Sequence, residues 1–407
     1  MKNLGSYQDD KNVYEFYEEP IFLQSEYYNV YFQKALLDLG EAFELKNLLS
    51  TTAQEVAFAQ FKRLFKKKNK FSVDDRKKVV EDYYANCGFG RLDLKPIQAK
   101  GGHVDVHSEH YATAWVRHFG HRSQKESGVS YFTLGFLCGI IEAIFETKPG
   151  VFDGKQLKCI SKGDDCCRFE IFRGFKRKLN PSPAMGKVPI GSESGPSNET
   201  IQAITDIYPN GLDSENGLIE AFDTTYTRHY INYFALIEIK LLMQARKKLG
   251  TKGLKQIKNL ISQTSEKNTY FTFGRLFNSD FWQEHLKKSG EASGSGKIAN
   301  CLDVLSAFGH GSWSLVESSE NEYRVKVPNC PRTNAALKLV GNTKAPIAFY
   351  NGGLVRGLAN IAANGLDEES VDIAVVNSKA EQNTFDYSEE SSRMTGGEED
   401  ILVARKS

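Results

Sequence analysis

The densest chemistry in the chain is Cys159-Ile160-Ser161-Lys162-Gly163-Asp164-Asp165-Cys166-Cys167-Arg168-Phe169. Gly163-Asp164 is a turn signal between alternating residues, so the segment is expected to fold as a hairpin that carries Cys159 up to Cys167. Two thiols so placed suit one metal ion. The alternative is that Cys159, Cys166 and Cys167 are reduced thiols of the core or a sheet edge. Five of the eight histidines, His103, His107, His110, His118 and His121, fall within nineteen residues. His103 and His107 share a strand face, and His110 is placed to supply a missing ligand. No metal-binding helix context accompanies them, and a polar strand end plus a helix cap accounts for most of the group.

Other chemistries are excluded by what surrounds their motifs. Gly294-Ser295-Gly296-Lys297 lacks the first glycine of a phosphate loop, has Ile298 where Ser or Thr would bind magnesium, and follows no strand. Gly88-Phe89-Gly90 leads into a strand, which rules out a dinucleotide fingerprint, and no nucleophile elbow is present. A reductase needs a bound hydride donor, and no segment offers it a place. The basic run Lys62 to Lys70 is followed by Asp74-Asp75 and reads as a solvated helix end.

The elements that must position these residues are laid out twice. The chain has 407 residues, 52 Lys+Arg against 51 Asp+Glu, 40% hydrophobic residues and 12% aromatics. That is enough apolar side chain for two cores, with no overall charge to hold nucleic acid or an anionic membrane. Seven cysteines argue against a secreted disulfide framework. With no apolar stretch of about 20 residues and no apolar signal core at the start, a cytoplasmic protein is expected. The Pro-, Gly- and Ser-rich stretch after Arg177 is a linker. On either side of it a helix ends in Gly-aromatic-Gly or its like (Gly88-Phe89-Gly90; Gly309-His310-Gly311) and a strand pair follows. The pairs are Arg91 to Leu94 with Gly102 to Val106, and Trp313 to Glu317 with Tyr323 to Val327. Next comes an aromatic residue four positions ahead of a Gly-x-x-x-Gly pair (Tyr131 and Gly135/Gly139; Phe349 and Gly353/Gly357). The glycine side lets another backbone approach.

Each half is expected to close in a hairpin, Leu157 to Phe172 and Val371 to Tyr387. Phe169 is then matched to Phe385, and Val375 and Asn383 stand in place of Cys159 and Cys167. The fold class is α+β, two tandem modules of N-terminal helices plus an antiparallel sheet packed on a glycine-containing helix. The expected bounds are a helical extension (1–51), a first module (52–176), a linker (177–206), a second module (207–387) and a flexible tail (388–407). A ligand cavity belongs between the glycine helix and the sheet. His110, Trp115, Phe119, Phe132 and Phe136, with Tyr131, are the candidates in the first half; Phe349 and Tyr350 are those in the second. Their alternative role is plain core.

The series Cys-x-x-x-Gly-Asp-x-x-Cys-x-Phe, preceded by the Gly-x-x-x-Gly helix and a Gly-aromatic-Gly turn, resembles the 4-vinyl-reductase domain. The likeness covers Thr52 to Phe172 and is weaker over Tyr230 to Tyr387. It implies a small-molecule-binding module of the NO-signalling and Golgi-transport ligand-binding fold, similar to vesicle-tethering subunits, that pairs as a homodimer or, here, as a pseudo-dimer. In zinc-containing relatives a Glu three residues before the first hairpin Cys and a Cys opening the glycine helix complete the shell. Here those places fall to Gln156 and Ser130, with Cys138, one turn into the helix, as the further candidate ligand beside Cys159 and Cys167 for zinc. The expected function is non-enzymatic binding of a small hydrophobic or aromatic ligand in the first module, signalled to a protein partner. A scaffold or adaptor role, or an accessory role in tetrapyrrole metabolism, is the alternative.

Overall fold

The computed structural model describes residues 6–8, 12–16, 18–40, 43–67, 70–174, 177–180, 197–286, 294–345, 347–364, 373–381 and 384–407. The protein is α+β, with three antiparallel sheets among helices in the described residues. A six-stranded sheet runs β1 (Ser6–Gln8), β2 (Val13–Phe16), β3 (Glu19–Ser25), β9 (Thr224–Tyr230), β8 (Leu218–Ala221), β7 (Leu212–Asp213). Its two central strands come from the two halves of the chain and pair antiparallel, Leu23 opposite Arg228. Each runs directly into a helix: β3 into α1 (Glu26–Leu37), β9 into α7 (Ile231–Phe277). Gly250, at φ 63 and ψ −148, breaks α7 into two limbs. Only glycine adopts that backbone without strain. The first 51 residues are therefore not a helical extension alone, because three strands join α1 there.

In the first half α2 (Leu45–Lys67) lies against α5 (Tyr131–Ile144), and in the second the far limb of α7 lies against α10 (Phe349–Asn364). The glycines make both contacts. A Cβ on Gly135 would stand 1.9 Å from the Ser50 carbonyl oxygen, and one on Gly353 would stand 2.2 Å from that of Ser262. Helix α3 (Val73–Asn86) starts at a reciprocal cap: Ser72 Oγ accepts from Asp75 N–H and the Asp75 carboxylate accepts from Ser72 N–H. It stops at Cys87-Gly88, where φ of Gly88 is +80.

The two Gly-x-Gly turns cross over. Gly88 sits so close to β9 that a Cβ would come within 2.5 Å of the Tyr226 carbonyl oxygen, and Arg228 N–H donates to Cys87 O at 2.9 Å. Gly309 sits on β3, where a Cβ would meet Tyr14 at 2.9 Å and Ile21 O at 3.2 Å. Gly90 N–H donates to Gly217 O, and Gly311 N–H to Asn12 O. Each half thus rests its turn on the other's strand, and one continuous apolar core joins them.

The smaller sheets are β4-β6-β5 and β10-β11-β13-β12. The first is β4 (Gly101–Val106), β5 (Phe152–Lys158) and β6 (Cys167–Arg173); the second is β10 (Ser312–Ser318), β11 (Glu322–Asn329), β12 (Phe385–Ser391) and β13 (Asp400–Lys406). Arg91 to Leu94, expected as a strand, is not one; Leu94 N–H is taken by the Glu81 carboxylate at 2.7 Å instead. The closing hairpin of the second half also lies later than the alternation suggests. Residues Ile373–Glu381 form helix α11, and the expected tail supplies both the end of β12 and all of β13. The matching places are therefore Ser392 for Cys159 and Asp400 for Cys167, each eight residues apart around a three-residue 3-10 turn and a left-handed glycine, Gly163 or Gly396. Val106 pairs with Cys167 and Val327 with Asp400, which fixes the same register. Val375 and Asn383 are not the equivalents, and Asn383 lies outside the described residues. Most of the expected linker lies outside them too; helix α6 (Asn198–Gly211) runs through its end and across the boundary expected at 207.

Candidate functional site

The hairpin turn does bring the thiols together. Cys159 and Cys167 Sγ are 3.9 Å apart, the Cys167 thiol donating, and Cys159 N–H is held by Asp164 Oδ2 at 2.7 Å. The hydrogen bond from Cys167 is the main influence pulling the Cys159 thiol down to about 6, while burial pushes Cys167 up. Around them is a polar shell of neutral donors. Ser130 Oγ lies 3.7 Å from Cys167 Sγ, and Gln156 Nε2 donates to Ser130 Oγ at 3.1 Å. The buried carboxylate of Glu109 is spent on capping helix α4 (His110–Phe119). It accepts from Ala112 N–H at 2.7 Å, Ser130 Oγ at 2.7 Å and Thr133 Oγ1 at 2.6 Å, and burial pushes it up to about 7.

Two thiols at this spacing suit zinc, but a closed shell needs two more thiolate, imidazole or carboxylate donors. Ser130 and Gln156 are neither. Cys138 sits further along α5, with Glu142, Asp153 and Arg177 as its charged neighbours. Among the described residues no three His, Cys, Asp or Glu side chains gather to hold a metal. The donor set does not fit a closed zinc site.

The histidines separate as well. His110 is buried, with Nε2 3.0 Å from Asn29 Nδ2, and burial pushes it down to about 4; its neutral ring accepts there. His118 bonds Glu26 at 2.8 Å. The aromatic candidates of the first half pack ring on ring. Phe132 stacks on Phe89 with centroids 4.6 Å apart and meets His229 at 4.6 Å. Phe136 meets Tyr84 at 5.1 Å, and Trp115 meets Phe119 at 4.9 Å with the Arg122 guanidinium over its ring.

The equivalent place in the second half is different. Helix α9 (Pro331–Val340) has the ten-residue length of α4 and the same left-handed glycine after it, Gly341 for Gly120. Its sixth residue is Ala336 where α4 has Trp115. A cavity opens there between α7, α9 and the start of α10, walled by Ile239, Leu242 and Ala336 and lined by Glu238, Arg332, Tyr350 and Asn351. Its free volume is about 20 Å³, room for a water or two.

Arg332, 8% exposed, is caged by aromatic rings, with Tyr350 centred 3.5 Å from its guanidinium carbon and Phe22, Tyr28 and Phe234 within 5.5 Å. Its Nη1 donates to Glu238 Oε1 at 2.5 Å, an oxygen that also accepts from Tyr28 at 3.4 Å. Its Nε and Nη2 are buried and, among the described residues, find no well-formed hydrogen bond. Tyr350 was readable in the sequence as a candidate. Arg332 and Glu238 were not, and the one available signal was the small Ala336 opposite a tryptophan.

A second, more open cleft of about 490 Å³ lies between α2, α3 and α5, lined by Phe58, Phe65, Lys62, Arg76 and Glu142 among others. No helix among the described residues is long and apolar enough to cross a membrane.

Fold and site together define an α+β protein with a buried, charged cavity in its later half. No family model matches the chain, and no curated protein does. Among solved structures it is similar to the phenol-responsive sensory domain of the transcription activator PoxR with phenol, at 10% identity and a TM-score of 0.36, over 52% of this chain and 91% of that one.

Proposed function

We propose that this is a cytoplasmic small-molecule-binding sensor with no catalytic centre, built from two fused copies of a 4-vinyl-reductase-like unit, and that the later copy holds the ligand. Its occupancy would be passed through the shared central sheet to a protein partner. The reading rests on one observation above all: where α4 carries Trp115, α9 carries Ala336 beside a small cavity lined by the caged Arg332, which a ligand would have to widen. Buried polar groups left without partners are costly, and sites that keep them commonly do so for a ligand. The repeated order of elements, the paired glycine contacts and the equal hairpins support two copies of one unit.

The test is a thermal-shift screen of the full chain with small phenols, aromatic acids and fatty acids. A binder raises the melting temperature in proportion to the logarithm of its concentration. Ala336→Leu, which fills the cavity, should abolish that rise while leaving the unliganded protein folded. If no compound shifts the melting temperature and native mass spectrometry finds no retained molecule, the sensor reading fails and a scaffold role takes its place.

A further inference from the structure

We propose that the corner of α7 at Gly250 is a docking surface for anionic lipid, holding the protein peripherally against a negatively charged membrane face. Between Glu238 and Glu266 the sequence has seven cations and no acidic residue, a local excess that the overall charge of +1 hides. Two of the seven are used by the fold: Lys240 Nζ bonds Glu55 at 2.6 Å, and Lys258 lies over the ring of Phe349. The other five, Arg246, Lys247, Lys248, Lys252 and Lys255, gather where the chain folds back on itself. A Cβ on Gly253 would stand 3.2 Å from the Ala245 carbonyl oxygen, although eight residues of unbroken helix rise about 12 Å. The two limbs of α7 therefore meet at a corner, and every residue from Arg246 to Lys252 is exposed.

The fold itself does not ask for these charges. The first half makes the same connection between α1 and α2, and there the residues between Lys34 and Lys46 include Asp38, Glu41 and Glu44 and no cation. Among the described residues, Arg246, Lys247, Lys252 and Lys255 have no carboxylate partner. Ammonium and guanidinium groups crowded in this way repel one another, and a polyanion relieves them. Two apolar side chains choose the polyanion. Met243, 63% exposed, lies one turn ahead of Arg246 and Lys247 on the same helix face, and Leu249, 46% exposed, stands at the corner itself. At the surface of an anionic bilayer the cations meet headgroup phosphates while the apolar groups leave water between them. On a nucleic-acid backbone the same apolar groups would stay wet, and residues 243–255 include no aromatic ring to stack on a base.

Sedimentation of the full chain with phosphatidylcholine vesicles, with and without about 30% phosphatidylserine, tests this. The protein should pellet with the anionic vesicles, stay in solution with the neutral ones, and be released as salt rises from about 0.1 to about 0.5 M. Lys247→Gln with Lys252→Gln should weaken binding about thirtyfold, at roughly fivefold per cation. Lys62→Gln with Lys66→Gln, the same change of net charge placed on α2, should leave it unchanged. Leu249→Ser should weaken it severalfold with every cation in place. All five positions are exposed, so an unchanged melting temperature shows that each variant is folded. No pelleting with anionic vesicles, equal pelleting with neutral ones, or an equal loss from the α2 pair overturns the proposal. If vesicle binding ignores Leu249→Ser and duplex DNA competes it away in full, the corner is a general polyanion site and the lipid assignment fails.

Discussion

Glu142 and Asn360 do the same work in the two halves. Glu142 Oε1 accepts the N–H groups of Val151 and Phe152 at the start of β5, and Asn360 Oδ1 accepts those of Thr384 and Phe385 at the start of β12. Each also bonds the facing helix: Gln54 donates to Glu142, and Asn360 donates to Glu266. The difference is charge. Burial pushes Glu142 up to about 7, against four hydrogen bonds that favour its ionised form.

That difference predicts a pH dependence. An acid whose folded pKa lies above its unfolded value holds its proton more tightly when folded. Its stabilising effect is complete below the unfolded value and is lost as pH rises through about 7. Glu142→Gln keeps the accepting oxygen and cannot ionise. It should be more stable than the parent at about pH 8, by on the order of 1–2 kcal/mol, and show little gain at about pH 5. Urea melts at the two pH values measure it; a variant less stable at both would show that the second carboxylate oxygen has a partner the substitution removes.

The glycine helices predict a contrast in cost. Gly135→Ala drives a methyl into the Ser50 backbone, and Gly353→Ala into that of Ser262, where neither neighbour can turn aside. Each should lose about 3 kcal/mol or more. At Gly163 nothing lies within 4 Å, and only its φ of +85 objects, so alanine should cost about 1 kcal/mol. Equal losses at Gly135 and Gly163 in chemical denaturation would contradict the close helix contact.

The thiol pair predicts indifference to metal. With Ser130 and Gln156 completing the shell, a chelator should leave the melting temperature unchanged. Cys159→Ser should cost only on the order of 1 kcal/mol, as expected for a buried hydrogen-bonded thiol. Elemental analysis finding one zinc per chain, lost in that variant, would refute it.

Much of this architecture can be read from residue types. The Gly-x-x-x-Gly segments pack as their spacing demands, because a missing Cβ has one main use in a buried helix. The cysteine hairpin turns at Gly163-Asp164 for equally local reasons. The second hairpin is hidden because β12 is a sheet edge whose alternate residues face solvent. Ser388 and Glu390 make its end read as a tail, while the apolar residues of α11 imitate a strand. Arg332 was out of reach for another cause. Its environment comes from Phe22, Tyr28, Phe234 and Tyr350, scattered over more than three hundred positions and assembled only by the crossing of the halves.

That crossing has a bearing on how the molecule comes apart. The Gly88 turn needs the strand at Tyr226, and the Gly309 turn needs the strand at Ile21, so neither portion owns a finished interior. Loosening either portion exposes the other, and the whole chain should melt as one.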